Sequence, residues 1–192
     1  SRHALHRAHP ADLLRCPTRC VMCRADSRAV EGNGGLISAS GRGAIATITS
    51  STLQRGTGVG GGCAAVALAG KVAVFDSVSS DCTCTGTIAD DVGGGCFFAS
   101  DFGSELNVVG STVDRCHTPF RGGAFYVVKS AKAMFSKSTS HNVSSGEGAG
   151  GFGAAFAYIR QRSALRLYDS VISGADERSG QAQEIIHVSI DS

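Results

Sequence analysis

Five times along this chain a pair of small residues opens a short apolar stretch, and 15 to 17 residues later a serine stands among alternating apolar residues. The pairs are Gly34-Gly35, Gly61-Gly62, Gly94-Gly95, Gly122-Gly123 and, degraded, Gly153-Ala154. The serines are Ser51, Ser77, Ser111, Ser138 and Ser170, separated by 26, 34, 27 and 32 residues. A repeat of that length describes a solenoid, in which no unit buries its own core and each coil covers the next. It restricts the architecture far more than the activity.

The segments before each serine align as Ala46-Thr-Ile48, Val72-Ala-Val74, Leu106-Asn-Val108, Ala133-Met-Phe135 and Leu165-Arg-Leu167. The positions five and three before the serine are apolar in every row, the period-two pattern of a strand with one buried face. The stretches after the pairs alternate as well, from Leu36-Ile-Ser-Ala to Ala155-Phe-Ala-Tyr-Ile159. Gly35, Gly62, Gly95 and Gly123 recur where each turn must bend sharply. Helices fit poorly, because 26 glycines and many Ser, Thr and Val residues oppose them. The sequence therefore predicts an all-β, right-handed parallel β-helix of about five coils with two or three strands per turn. The handedness comes from the crossover rule for parallel strands. Residues 1–30 form a basic, Cys-containing N-terminal cap or linker, and 31–192 the β-helix. Five coils at the ~4.8 Å strand spacing span about 25 Å, a squat body whose ends need covers.

The first 28 residues carry six Arg against two Asp, a balance of +4, and leave −2 for the rest. Ala4, Leu5, Ala8, Leu13 and Leu14 outline an amphipathic segment interrupted at Pro10, suited to covering the open first coil. The segment has neither Lys runs nor interleaved aromatics, so nucleic acid is not the expected partner. No apolar run approaches the ~20 residues of a membrane span, and no leader is recognised in this chain.

Eight cysteines divide into two groups. Cys16, Cys20 and Cys23 form C-x3-C-x2-C, the spacing that seats a [4Fe–4S] cluster in radical S-adenosylmethionine enzymes. The glycine-rich repeat that follows leaves no room for the barrel of such enzymes. Zinc would need a fourth ligand, from His3, His6 or His9, and disulfides or a remnant of a Cys-rich module fit better. Further on, Cys63 and Cys96 each follow a glycine pair, and Cys82 and Cys116 each lie five residues beyond a marker serine. Residues stacked on adjacent rungs bring Cα atoms to ~4.8 Å, within disulfide range. The expected bridges are Cys63–Cys96 and Cys82–Cys116, with Cys84 competing for the second pair. Inward-facing reduced thiols are the alternative. Bridges would imply an oxidising, extracellular setting.

The stretch Ser111-Thr-Val-Asp-Arg-Cys116-His-Thr-Pro-Phe-Arg-Gly122-Gly123-Ala124-Phe125-Tyr126 resembles the β-helix repeat of polymorphic outer-membrane proteins. That family joins a GGA-plus-apolar motif to an upstream F-x-x-N motif. Gly-Gly-Ala is complete once, at Gly122 to Ala124, and the F-x-x-N positions are held by sequences such as Val113-Asp-Arg-Cys116. The resemblance covers about residues 31–180 and implies adhesion or surface display.

The expected function is thus a non-catalytic extracellular or surface module with a structural, adhesive, glycan-binding or protein-binding role. Its partner would be a glycan, a protein or further solenoid rungs, with no membrane span. No cofactor is expected. The alternative is a polysaccharide lyase of the pectate-lyase-like β-helix type, in which clustered carboxylates hold Ca²⁺ and an Arg or Lys serves as base. Its candidate residues are Asp90, Asp91 and Asp101, with Glu105, beside Arg115, Arg121 or Lys129. Against it, Asp90-Asp91 precedes a glycine run, where Asp is ordinary turn chemistry. His117 follows Cys116 directly, so the two point to opposite faces of a strand and make no nucleophile pair.

Overall fold

Short alternating segments separated by residues able to take a left-handed backbone fold into short strands and sharp corners. The computed structural model describes residues 18–21, 24–25, 34–86, 93–146, 155–174 and 186–188. Among these every regular element is a strand, and the strands pair in parallel as a β-solenoid. Two leading strands, β1 (Thr18–Val21) and β2 (Arg24–Ala25), precede the first full coil. That coil comprises β3 (Ile37–Ser40), β4 (Ile45–Thr49), β5 (Thr52–Gln54) and β6 (Thr57–Gly58). The second has β7 (Ala64–Ala67), β8 (Lys71–Phe75), β9 (Val78–Ser80) and β10 (Thr83–Cys84). The third has β11 (Phe97–Ser100), β12 (Glu105–Val109), β13 (Thr112–Asp114) and β14 (His117–Thr118). The fourth has β15 (Phe125–Val128), β16 (Lys132–Ser136), β17 (Thr139–His141) and β18 (Ser144–Ser145). The fifth contributes β19 (Ala157–Ile159), β20 (Ala164–Tyr168) and β21 (Val171–Ser173), and β22 (Ile186–Val188) pairs with β19.

Each complete coil thus has four strands rather than the expected two or three, and like strands stack into four faces. The first face runs β3-β7-β11-β15-β19-β22, the second β1-β4-β8-β12-β16-β20. The third runs β2-β5-β9-β13-β17-β21 and the fourth β6-β10-β14-β18. β1 and β2 lie within the segment expected to be a cap or linker, and they add a strand to the second and third faces. The helical segment expected around Ala4 to Leu14 lies outside the described residues.

The strand registers put one residue of each coil above its counterpart. Inward columns Ala46–Val72–Leu106–Ala133 and Ile48–Val74–Val108–Phe135 line the second face. On the first face, Ala64–Phe97–Phe125–Ala157 stack toward the same core. Phe125 is its hub, with ring centroids 5.0 Å from Phe97, 5.6 Å from Phe135 and 5.4 Å from Phe156. The register also corrects the fifth small-residue pair. Phe125 stands over Ala157 and Gly123 lies against Ala155 O, one residue beyond the expected pair, while Gly153 and Ala154 themselves fall outside the described residues.

The two glycines of each pair do different jobs. Gly34, Gly61, Gly94 and Gly122 have φ of +86°, +69°, +77° and +66°, a region that favours glycine. Gly62, Gly95 and Gly123 instead lie against the backbone of the fourth face. A methyl on Gly95 would sit 2.6 Å from His117 N and nearer still to Gly123 O. The other corners take left-handed backbone without glycine pairs: Ser50, Asp76, Lys137 and Asp169 between second and third faces, Arg55, Asp81, Arg115 and Asn142 between third and fourth.

The marker serines form a hydrogen-bonded ladder just past one of those corners. The backbone N–H of Ser51 donates to Ser77 Oγ at 3.0 Å, Ser77 to Ser111 at 3.1 Å, and Ser111 to Ser138 at 3.0 Å. The Ser138 N–H reaches Ser170 Oγ at 3.3 Å. Each hydroxyl donates in turn to the carbonyl two residues back, as Ser77 does to Phe75 O at 2.6 Å and Ser138 to Ser136 O at 2.7 Å. The hydroxyl supplies an acceptor to a buried amide that the corner removes from the sheet ladder. Ser111→Ala is therefore expected to strand the Ser77 N–H and lower stability by about 1–3 kcal/mol. Equilibrium urea unfolding reads this directly; an unchanged midpoint would show that the ladder carries no net stabilisation.

Candidate functional site

Three constellations stand out: a cluster of sulfurs in the core, a charged corner, and the outward columns of the flat faces. Cys63 and Cys96 do stack on adjacent coils, since Cys63 N donates to Cys96 O at 2.9 Å. The bridges, however, run within coils, from Cys63 to Cys82 and from Cys96 to Cys116, each with a Cα–Cα distance of 5.4 Å. This corrects the expected Cys63–Cys96 and Cys82–Cys116 pairs. Stacked side chains run parallel to one another, whereas the start and end of one coil meet with their Cβ atoms facing across the lumen, as a disulfide requires. Each bridge thus closes a single coil on itself. Cys84 is buried outside both bridges and its thiol donates to Val59 O at 2.9 Å. Cys20 lies in β1, opposite Ile48 in register, while Cys16 and Cys23 fall outside the described residues.

At the corner between the third and fourth faces, charges stack from coil to coil. Arg115 grips Asp81 through Nε at 2.6 Å and Nη2 at 2.9 Å, and its Nη1 also pairs with Asp114. Asn142 Nδ2 donates to Asp114 Oδ1 at 3.3 Å, extending the row by one coil. The Arg115 guanidinium holds the Asp81 carboxyl below the ordinary carboxylate range. Its contribution to stability is present above the unfolded carboxylate pKa of about 3.9 and disappears as pH falls through the lower folded value. The pair is solvent-exposed, so the contribution is small. Arg115→Ala is expected to return the Asp81 pKa toward its ordinary value while leaving the unfolding midpoint at pH 7 nearly unchanged. Carboxyl-resolved NMR titration checks the first point, and an unmoved Asp81 titration would refute the pairing.

The carboxylates considered for Ca²⁺ do not converge among the described residues. Asp101 takes φ +75° at a first-to-second-face corner, where Leu68 N donates to its Oδ2 at 3.3 Å. Glu105 is paired with Lys71 Nζ at 2.9 Å on the second face. Arg115 is engaged at another corner, and Arg121 lies over the Tyr158 ring, 5.1 Å from its centroid. Asp90 and Asp91 fall outside the described residues. Cys116 is buried and His117 exposed, as alternation requires, and His117 Nδ1 shares a hydrogen bond with Ser144 Oγ at 2.9 Å.

The outward columns form regular rows that are mostly half-buried in the middle coils and exposed at Arg166, Tyr168 and Val171. On the second face they read Thr47–Ala73–Asn107–Met134–Arg166 and Thr49–Phe75–Val109–Ser136–Tyr168. On the third they read Thr52–Val78–Thr112–Thr139–Val171 and Gln54–Ser80–Asp114–His141–Ser173. Sequence reading missed a further column, Ala65–Phe98–Tyr126–Tyr158, on the outer side of the first face, where these residues are buried in a second apolar cluster. The doublet Phe97-Phe98 and the triplet Phe125-Tyr126-Val127 carried its signal, since a strand apolar at consecutive positions is covered on both sides.

Among the described residues no helix is long and apolar enough to cross a membrane. No protein-family model, no curated protein and no solved structure matches this chain.

Proposed function

We propose that this chain is a non-catalytic module of the extracellular space or cell surface that binds a glycan or protein partner through its flat strand faces. The observation that carries this reading is the in-register array on the second and third faces. There, Thr47, Thr49, Asn107, Ser136 and Arg166 share the lattice with Phe75, Val109, Met134 and Tyr168 at the strand spacing. A regular lattice of that kind suits a polymer or an extended partner surface better than a small substrate, which calls for a concave site. The two intracoil bridges support an oxidising compartment. The likeness to outer-membrane-protein β-helix repeats rests on architecture and on Gly122 to Ala124, and agrees with display at a surface.

The test is a binding and turnover screen on polygalacturonate, a neutral glucan and a sulfated glycan, with and without Ca²⁺. Binding without turnover is expected, weakened at least several-fold by Tyr168→Ala and Arg166→Ala at the exposed end of the second face. Calcium-dependent formation of unsaturated products would overturn the reading and favour the lyase alternative built on Asp90, Asp91 and Asp101.

A further inference from the structure

The two bridges lie against each other, and this has chemical meaning beyond stability. Cys63 Sγ of one bridge is 3.7 Å from Cys96 Sγ of the next. The Sγ atoms of Cys63, Cys82 and Cys96 all lie within 4.8 Å of one another, and Cys116 is bonded to the third. All four residues are fully buried. In a tetrahedral thiolate site with metal–sulfur bonds of about 2.3 Å, neighbouring sulfurs are about 3.8 Å apart. The separation between the two coils already has that value. Opening each bridge would let the paired sulfurs relax apart within the same pocket.

We propose that the reduced chain holds one soft divalent metal ion of the zinc class, coordinated by Cys63, Cys82, Cys96 and Cys116. A dithiol or phosphine reductant supplies two electrons to each disulfide, which also takes up two protons, giving four thiols and the oxidised reductant. The incoming ion then displaces four protons to solvent as four metal–thiolate bonds form. An all-sulfur set selects zinc-class or cuprous ions over calcium or magnesium, which need oxygen ligands. The site links the ends of two adjacent coils to one centre, replacing two covalent staples with a single shared one. On the β9 side, Cys96 Sγ is 4.0 Å from Ser79 O, and the buried Ser79 hydroxyl has no hydrogen-bond partner among the described residues. The same four side chains would thus serve an oxidising compartment as two disulfides and a reducing one as a metal centre, independently of what the outer faces bind.

The experiment uses the full chain, reduced anaerobically with a phosphine and titrated with Co²⁺. The expected result is one Co²⁺ per chain with the intense visible bands of tetrahedral thiolate coordination, bleached by one equivalent of Zn²⁺ and absent from the oxidised chain. A Cys16→Ser, Cys20→Ser, Cys23→Ser variant should keep these bands, and Cys82→Ser, Cys116→Ser should lose them. Because the second variant can fail for lack of folding, the reduced wild-type chain is also alkylated with and without Zn²⁺ and mapped by mass spectrometry. Zinc-dependent protection of Cys63, Cys82, Cys96 and Cys116 supports the site. Equal alkylation with and without zinc, or protection confined to Cys16, Cys20 and Cys23, overturns it.

Discussion

Replacing Gly95 with alanine is expected to lower stability by about 3–5 kcal/mol, a large share of the 5–15 kcal/mol that holds an ordinary domain together. The added methyl would meet His117 N at 2.6 Å, His117 C at 2.7 Å and Gly123 O. All three are backbone atoms of the adjoining face and coil, so no side chain can swing aside to make room. Relief would require the fourth face to move away from the first, breaking the coil closure that the Cys96–Cys116 bridge also serves. Gly41 is the control. It has φ +103° but open space around its Cα, so Gly41→Ala should cost only the ~1–2 kcal/mol of left-handed backbone. Denaturant midpoints for the two variants separate steric closure from backbone strain. Equal losses at both positions would refute the close-approach argument.

Truncating Phe125 to alanine should cost about 3–5 kcal/mol, the usual range for emptying a buried aromatic position. The ring is fully buried and touches partners on three coils: Phe97 before it, Phe135 within its own coil and Phe156 after it. In a solenoid, stability is close to a sum of coil terms and nearest-neighbour interfaces. Phe125→Ala weakens both interfaces of the fourth coil at once. The expected signature is a lowered midpoint together with loss of cooperativity, read by hydrogen exchange as early opening of β19, β20 and β21. A double-mutant cycle with Phe156→Ala should give a coupling near 1 kcal/mol, in the range for contacting aromatic pairs. Simple additivity would show that the rings fill volume without linking coils.

How much of this was legible in the chain depends on the length over which a pattern repeats. The serine rows fixed the second face correctly, because Val72, Val74 and Ser77 repeat their spacing in every coil and the alternation spans five residues. The fourth face escaped notice because its strands, such as β10 at Thr83–Cys84, are two residues long and give alternation nothing to act on. The fifth small-residue pair is offset by one residue, since Gly153-Ala154 resembles the other pairs in composition while the register brings Ala155 against Gly123. Spacing identified the cysteines that come together but not their bonding. One-dimensional stacking places Cys63 beside Cys96, while the closure of a coil across its lumen is visible only in three dimensions. Likewise Asp101 looked like a metal ligand by residue type, and its role is to accept from Leu68 N at a corner. For the outward faces the sequence supplied a lattice and left the partner to chemistry.

The uneven spacing of the marker serines has a consequence for how such a chain can be rebuilt. From Lys71 to Ser77, Glu105 to Ser111 and Lys132 to Ser138 the coils are equal in length, and the serine relay passes through all of them. The surplus residues fall almost entirely between the fourth face and the next glycine pair: Gly58 to Gly61 in one coil, Cys84 to Gly94 in the following one, Thr118 to Gly122 in the third. Length variation between coils is concentrated at that seam. Extra residues in that seam change the length of a coil without altering the register of β8, β12 and β16 on which the serine relay depends. Coil length can thus vary at one seam while a column of hydroxyl groups keeps the coils in step.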